Sequence, residues 1–466
     1  MARADRRTPL AVWGGVAGFA ALFGLLSVRR HEAFSTARFD LGNMVQAVWS
    51  TAHGHPLRVT DLDGDQVLRL GAHVDPALVL LAPLWWLWPS PKLLLVVQAV
   101  AVALGAVPVY RLAQKHLRSS RAGTMFAFAY LLYPPTTWLA LNEFHPGGLA
   151  MPALLWAFWY LDEDRLALFA VFALFAACCR EDIPLVFIGF GIWYALAHGR
   201  RVVGLAIAIA GLAWTVLAVK VVIPHVRGGE TAFAGRYGEA KAALGDPAAL
   251  LRLVFDRGGV HYLLDLLLPL AALSLLAPVA LAALPGLALN LLSATPTQTS
   301  IHFHYTAAIT PALVAAAVFG AARLRAHWRL PAAGIALAAA FVGNYRLGAI
   351  PLWRELPGGE TLQARDANVT EHDHIAARAL KLIPSNAVVS ATNSLGAHLS
   401  ARRRFLSFPF VEDAKWIAVD ETQPGYADRV SPLPTVTQVA WLRRNPAWRI
   451  VFEQDGVLVF KRVLPP

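Results

Sequence analysis

Several short stretches of this chain bring acids, imidazoles and arginines together at spacings that chemistry can use. Asp40, in FDLGN, offers a carboxylate able to take a proton from an acceptor hydroxyl. Standing ahead of LGNMVQAVW, it equally reads as a helix N-cap, and position alone leaves both readings open. NEFHP (142–146) places Asn142, Glu143 and His145 in one tight turn. A Glu and a His two residues apart can hold a divalent metal, or a substrate's phosphate and hydroxyl; the plainer reading is a solvated turn stopped by Pro146. Arg180, Glu181 and Asp182, ahead of Pro184, form a second charged turn. There Arg180 could neutralise a lipid phosphate while a carboxylate orients it, or the three could simply pair and cap. IHFHY (301–305) sets His302 and His304 two apart, on one face if the segment is extended. With Glu143 and His145 they would complete a metal site of imidazole and carboxylate, and a divalent ion is the one cofactor this set suggests. His73 and Asp75 are further candidates. Lys220 could contact a lipid phosphate or snorkel to the interface.

What positions these residues follows from composition. Of 466 residues, 57% are hydrophobic and only 15% charged, well short of the roughly one-quarter charged residues of soluble domains. Mean hydropathy is +0.50. Lipid is therefore the solvent for most of the chain. The net charge of +11 does not indicate a nucleic-acid partner, because the basic residues gather in short stretches between apolar runs. Arg3, Arg6 and Arg7; Arg111, Lys115, Arg118 and Arg121; Arg200 and Arg201; and Arg323, Arg325 and Arg329 follow the pattern of cytoplasmic loops beside anionic lipid. The run Pro9 to Val28 ends in Arg29 and Arg30 without a small-residue cleavage site, so it reads as a retained first helix. Cys178 and Cys179 are adjacent and read as packing residues.

At about 20 apolar residues per crossing, the candidate spans are 10–28, 91–110, 123–140, 147–161, 166–180, 184–198, 202–223, 262–279, 281–295, 305–322 and 330–347. Placing every basic cluster inside a bacterial inner (plasma) membrane puts the N-terminus in the cytoplasm and gives about eleven spans. The segment 75–88, DPALVLLAPLWWLW, is short, broken by proline and ends in three tryptophans, so it reads as an interfacial helix rather than a span. Residues 29–90 then form a long first outer loop with an amphipathic helix around 40–53. The segments 141–146, 181–183, 224–261 and 296–304 also lie outside.

Composition changes near residue 352. T-E-H-D from Thr370 is a capping box ahead of IAARALKLI. AVVSA, RFLSF and WIAVD read as strands, and WRIVFEQDGVLVFKR as a hairpin turning at Asp455-Gly456. The expected fold is mainly α: a polytopic bundle over 1–350, followed by a small α/β extracytoplasmic domain over 351–466.

Two motifs are weaker than they look. Asp61, Asp63 and Asp65 begin like a calcium loop, but Gln66 stands where glycine is needed and Ala72 where the bidentate acid belongs. An Asp-x-Asp of nucleotide-sugar transferases would face away from the cytoplasmic nucleotide-sugar pool, so a solvated loop is the better reading. The alternation of His372 and His374 with Glu371 and Asp373 is explained mostly by the capping box. No Walker loop, Rossmann glycine fingerprint or GxSxG occurs.

FDLGNMVQAVWSTAHGHPL (39–57), HVDPALVLLAPLWWLWPSPKLLLVVQA (73–99), LNEFHPGGLAMPALLWAF (141–158), CREDIPLVFIGFGIW (179–193), ALPGLALNLLS and IHFHYTAAITPALVAAAVFG (283–320) together resemble the DUF2079 family of bacterial membrane proteins. The family usually carries Lys-Glu-Asp where this chain has Arg180-Glu181-Asp182. The plan is similar to that of GT-C glycosyltransferases, which share a long first outer loop with an acid just after the first span, an interfacial helix and a terminal extracytoplasmic domain. The resemblance implies a polyprenyl-phosphate-linked sugar donor within membrane lipid, and makes Asp40 the first-loop catalytic carboxylate. Glu143 would act beside it. Asn142, His145, Arg180, Glu181, Asp182, His73 and Lys220 would contact substrate, and His302 and His304 would hold metal. The first-loop acid is a lone Asp here, where those enzymes have an acidic pair. The terminal domain would close over the acceptor. Competing functions are a transporter or flippase for an anionic lipid-linked substrate, which predicts midplane charges and two similar halves, and a non-catalytic scaffold.

Overall fold

The apolar runs become helices because unpaired backbone groups are costly in lipid and a helix satisfies them internally. The computed structural model describes residues 8–229, 234–256, 258–351, 367–429 and 433–464. The Arg3, Arg6 and Arg7 cluster and the composition boundary at 352–366 lie outside the described residues. Among the described residues four helices, Leu10–Glu32, Pro91–Leu117, Arg201–Arg227 and Ala326–Leu347, are long and apolar enough to cross a membrane. Pro146–Asp162, Leu166–Ala177, Ile183–Ala197 and Ile309–Arg323 are shorter. The expected span 123–140 is divided at Pro134 and Pro135 into Ser120–Leu132 and Pro134–Leu141.

Eleven crossings are therefore not established by length. The largest departure is at 262–295, where two spans were expected. A helix over Gly259–Leu267 runs into Ala271 and Ala272, both left-handed, then into short turns, before Leu284–Leu291. Pro269, Pro278 and Pro285 each remove a backbone donor, so no continuous helix can form.

The helices leave two chemically different ends. At one, Lys115 pairs with Asp162 and Glu163 at 2.7 Å each, and Arg200 pairs with Asp164 at 2.7 Å. At the other lie the long first loop and the charged turns. In that loop, Pro76–Leu81 and Ala82–Leu87 form two short helical turns over the expected interfacial segment. Trp85 is buried, whereas Trp86, Leu87 and Trp88 are exposed, as an interfacial element requires. Strands β1 (Arg58–Thr60) and β2 (Gln66–Leu68) pair antiparallel. Between them Asp61 accepts hydrogen bonds from the Asp63 and Asp65 amides at 3.0 and 2.8 Å, forming a turn rather than an ion loop.

The C-terminal unit is a five-stranded mixed sheet in the order β4-β3-β5-β7-β6. Its strands are β3 (Val389–Ala391), β4 (Phe405–Ser407), β5 (Trp416–Asp420), β6 (Trp448–Gln454) and β7 (Val457–Arg462). β3 runs parallel to β4 and β5, and β7 antiparallel to β5 and β6. Alternation along β5 buries Ala418 on one face and Ile417 and Val419 on the other, giving two small cores. Thr370 and Asp373 form the expected capping box of Glu371–Leu380, and Asp455 and Gly456 make the hairpin turn with positive φ.

This unit is joined firmly to the first loop. Gln46 donates to Thr60 Oγ1 at 2.9 Å and to the Arg402 carbonyl at 3.1 Å, while the Phe405 amide donates to Thr60 Oγ1 at 3.2 Å. A Cβ at Gly42 would meet Ser400 Oγ at 2.6 Å, so a larger residue here would displace the Ser400 hydroxyl. His31 stacks on His398 with ring centroids 3.9 Å apart.

Candidate functional site

The turn between Pro134–Leu141 and Pro146–Asp162 is shaped from beneath by one side chain. Gln98, fully buried in an apolar helix, donates through Nε2 to the carbonyls of Leu139 at 2.9 Å and Asn142 at 2.8 Å. Its Oε1 accepts the His145 amide at 2.9 Å. His145 precedes a proline and is extended, as that position favours. Its Nδ1 faces the Glu143 carbonyl at 2.7 Å, and its Nε2 faces Asp40 Oδ1 at 3.3 Å. A ring nitrogen pointing at a carbonyl must carry a proton. Nε2 is thus the ring nitrogen presented to the Asp40 carboxylate.

Asp40 sits inside a π-helical turn, Arg38–Gly42, with no capping bond, so it is not the N-cap that the sequence also allowed. Its side chain is 51% exposed, and that of His145 is 9% exposed. Burial of the site pushes the Asp40 carboxyl up, but the hydrogen bond and charge of His145, with Arg69, outweigh this and leave it below the usual range.

Glu143, expected to act beside Asp40, is engaged by backbone amides of the first loop. Both its oxygens accept the Ala37 amide at 2.9 Å, and Oε2 also accepts the Leu41 amide at 2.9 Å. It clamps the turn that carries Asp40. Burial, then the nearby Asp40 charge, raises its pKa to about 8 despite the amide bonds. Phe39 is held from the opposite side, its amide donating to Asn393 Oδ1 at 3.3 Å.

The second turn works in the same way. Glu181 accepts from His73 Nδ1 at 2.9 Å and from the Val74 amide at 3.0 Å, anchoring the first loop again. Burial raises the Glu181 carboxyl, but His73 and Arg180 overcome this and lower it to about 2. Asp75 is buried against Arg69 at 2.7 Å. Arg180 is paired bidentately with Asp182, and its guanidinium carbon lies 5.8 Å from the Tyr305 ring centre.

His302 and His304 part company. The segment turns into a short helical turn, His304–Thr306, so the shared extended face is lost. His304 stacks on His145 with centroids 3.8 Å apart, and burial together with His145 and Arg180 holds it well below the usual imidazole range. His302 lies edge-on to Trp138, with its carbonyl accepting from Asn142 Nδ2 at 3.0 Å. Among the described residues no group of three or more His, Cys, Asp or Glu side chains is placed to hold a metal. Lys220 is exposed on a helix outside this set.

Asp40, His145, His304, Tyr305, Arg180 and Asp182 thus form one contact chain from the first loop to the second turn. Asp40 and Glu143 also line a cavity of about 410 Å³, whose opposite wall comes from the C-terminal unit at Asn393, Ser394, Gln423 and Gly425. Sequence reasoning missed Gln98, although a lone amide in an apolar helix is itself a signal. It also missed the wall residues, which no local pattern marks.

An acid after the first helix, charged turns beside it and a terminal domain packed on the first loop are the features that the resemblance read from the sequence led us to expect. The chain superposes on "ArnT from Cupriavidus metallidurans bound to Undecaprenyl phosphate" with TM-score 0.56 at 11% identity, covering 96% of this chain and 97% of that one. The apo state of the same protein gives TM-score 0.48 at 12% identity, covering 96% and 98%. No curated protein matches in sequence. The chain belongs to the family described as predicted membrane protein DUF2079, whose model matches residues 30–459.

Proposed function

We propose that this protein is a membrane-embedded glycosyltransferase that moves a sugar from a polyprenyl-phosphate donor to a hydroxyl-bearing acceptor. It would work on the extracytoplasmic face of a bacterial inner membrane, with the N-terminus in the cytoplasm and the C-terminal domain outside. The observation that carries the reading is the half-exposed Asp40 carboxylate, held in a cavity by His145 and a Glu143-clamped turn.

In the proposed step the acceptor oxygen attacks the anomeric carbon and the bond from that carbon to the phosphate oxygen breaks. The electron pair leaves with polyprenyl phosphate, and the hydroxyl proton passes to the Asp40 carboxylate, which His145 positions. Polyprenyl phosphate is a fair leaving group, so positioning and charge neutralisation supply most of the catalysis. Arg180 would take the phosphate by exchanging its Asp182 partner. Glu143 and Glu181 are positioning residues, each holding backbone of the first loop. His145 and His304 are stacked face to face, and the proposed step uses side chains alone.

The test is incubation of the purified protein in lipid with labelled polyprenyl-phosphate sugars and a mixed pool of envelope acceptors. Transfer of label together with release of polyprenyl phosphate, unchanged by chelator, is expected. Movement of the intact donor across sealed vesicles without transfer would replace this reading with a flippase. Loss of transfer on chelation, restored by one divalent ion, would show that the side chains rearrange to hold a metal.

A further inference from the structure

The cavity has two walls, and the proposed chemistry uses only one. The other belongs to the C-terminal domain, where polar side chains stand without work in the fold. Ser394 is only 6% exposed, yet its buried Oγ makes no hydrogen bond. A buried hydroxyl without a partner is costly. Asn393 gives Oδ1 to the Phe39 amide, and its own amide nitrogen to Asp428 at 2.8 Å, but its Nδ2 has no protein partner among the described residues. The Gln423 backbone is held by Asp420 at 2.9 Å, while its side chain has no hydrogen bond among the described residues. Arg429 is exposed at the cavity and has no ion pair among the described residues.

These groups come from two segments that Asp428 fastens together, accepting the Asn393 and Gly425 amides at 2.8 Å each. A Cβ at Gly425 would come within 3.0 Å of Asn393 Nδ2 and 3.2 Å of Asp428 Oδ2. The absence of a side chain there keeps Asn393 accessible. A ligand pocket typically measures roughly 300–1,000 Å³ and fixes its occupant through a few convergent polar groups. This cavity, of about 410 Å³, has that form.

We infer that the C-terminal domain supplies an acceptor subsite, in which Ser394, Asn393 and Gln423 hold sugar hydroxyls and Arg429 pairs with an acidic group on the acceptor. The acceptor is therefore an acidic, hydroxyl-bearing molecule such as a uronic-acid glycan. Its hydroxyls would lie in the same cavity as Asp40. This inference rests on the glycosyltransferase reading for its name, but the binding it predicts does not depend on turnover.

The experiment is calorimetric titration of the full-length protein in nanodiscs, without donor, using methyl glucuronide and methyl glucoside as probes. The glucuronide is expected to bind about tenfold more tightly. Arg429→Gln, at an exposed position, should bring the two probes level. Ser394→Val and Gly425→Val should weaken both about tenfold, with unfolding temperatures showing that the variants remain folded. Equal binding of both probes with no effect of Arg429→Gln would overturn the acidic specificity. Undiminished binding in the folded Ser394 and Gly425 variants would overturn the subsite itself. Glucuronide binding that responds to these changes, in a protein that transfers no sugar, would support the subsite while overturning the transferase reading.

Discussion

Replacing Gln98 with Leu removes a single amide from an apolar helix yet strikes the whole site. Three hydrogen bonds at 2.8–2.9 Å go with it, leaving the Leu139 and Asn142 carbonyls and the His145 amide without that partner. Hydrogen bonds inside membrane proteins average about 0.6 kcal/mol each, so three give about 2 kcal/mol as a lower figure. Leaving buried backbone groups unsatisfied costs about 1–3 kcal/mol each. Relaxation of the turn will recover part of this, and a loss of about 2–5 kcal/mol follows. The neighbouring helix packs closely here; a Cβ on Gly148 would lie 2.6 Å from Gln98 Oε1. Reversible unfolding in mixed micelles should register this loss. His145 should also lose its alignment with Asp40, so donor turnover should fall even in the fraction that remains folded. Gln98→Leu with stability within about 0.5 kcal/mol of the parent, the size of an ordinary surface change, and unchanged turnover would refute the claim that this amide sets the turn.

Two further predictions concern pH. Glu143 titrates near 8 in the folded protein, above the usual carboxylate value, so the folded state binds its proton more tightly than the unfolded chain does. The stability this contributes is fully present below about pH 4 and is lost as pH rises towards 8. Glu143→Gln can keep both amide bonds through one oxygen, and should flatten that part of the unfolding-temperature profile; an unchanged profile would contradict the assignment. His398 is shifted the other way, to about 4, by burial against His31 and Phe34. Its stabilising effect is present above about pH 6.5 and is lost as pH falls towards 4. Limited proteolysis between the two domains should therefore quicken on acidification. His31, stacked on it, is also held well below the usual imidazole range by burial, so His398→Phe, which fills the same stack, should reduce the change, and undiminished acid sensitivity in that variant would place the titrating group elsewhere.

Local signals in the chain were legible because their physics is local. The Trp85–Trp88 cluster, the Thr370 capping box and the Asp455-Gly456 turn each announce their own conformation. The importance of the Asn142–His145 turn could be read from charges that lipid discourages. What those charges touch could not. Glu143 is taken up by amides more than 100 positions earlier, and His304 meets His145 across the fold rather than His302. The break at 262–295 was foreshadowed by Pro269, Pro278 and Pro285, but hydropathy averaged across them. The cavity wall at Asn393 and Ser394 needed the domain docking to become visible.

Asp40 is the point on which the functional account turns, and single-turnover transfer from a labelled polyprenyl-phosphate sugar tests it most directly. Asp40→Asn keeps the size of the side chain and its contact with His145 but cannot accept the hydroxyl proton. General-base catalysis is worth roughly 10²–10⁴-fold, so the transfer rate should fall by at least about 100-fold with donor binding unchanged, and Asp40→Glu should recover part of it. Transfer by Asp40→Asn at the parental rate would contradict the account.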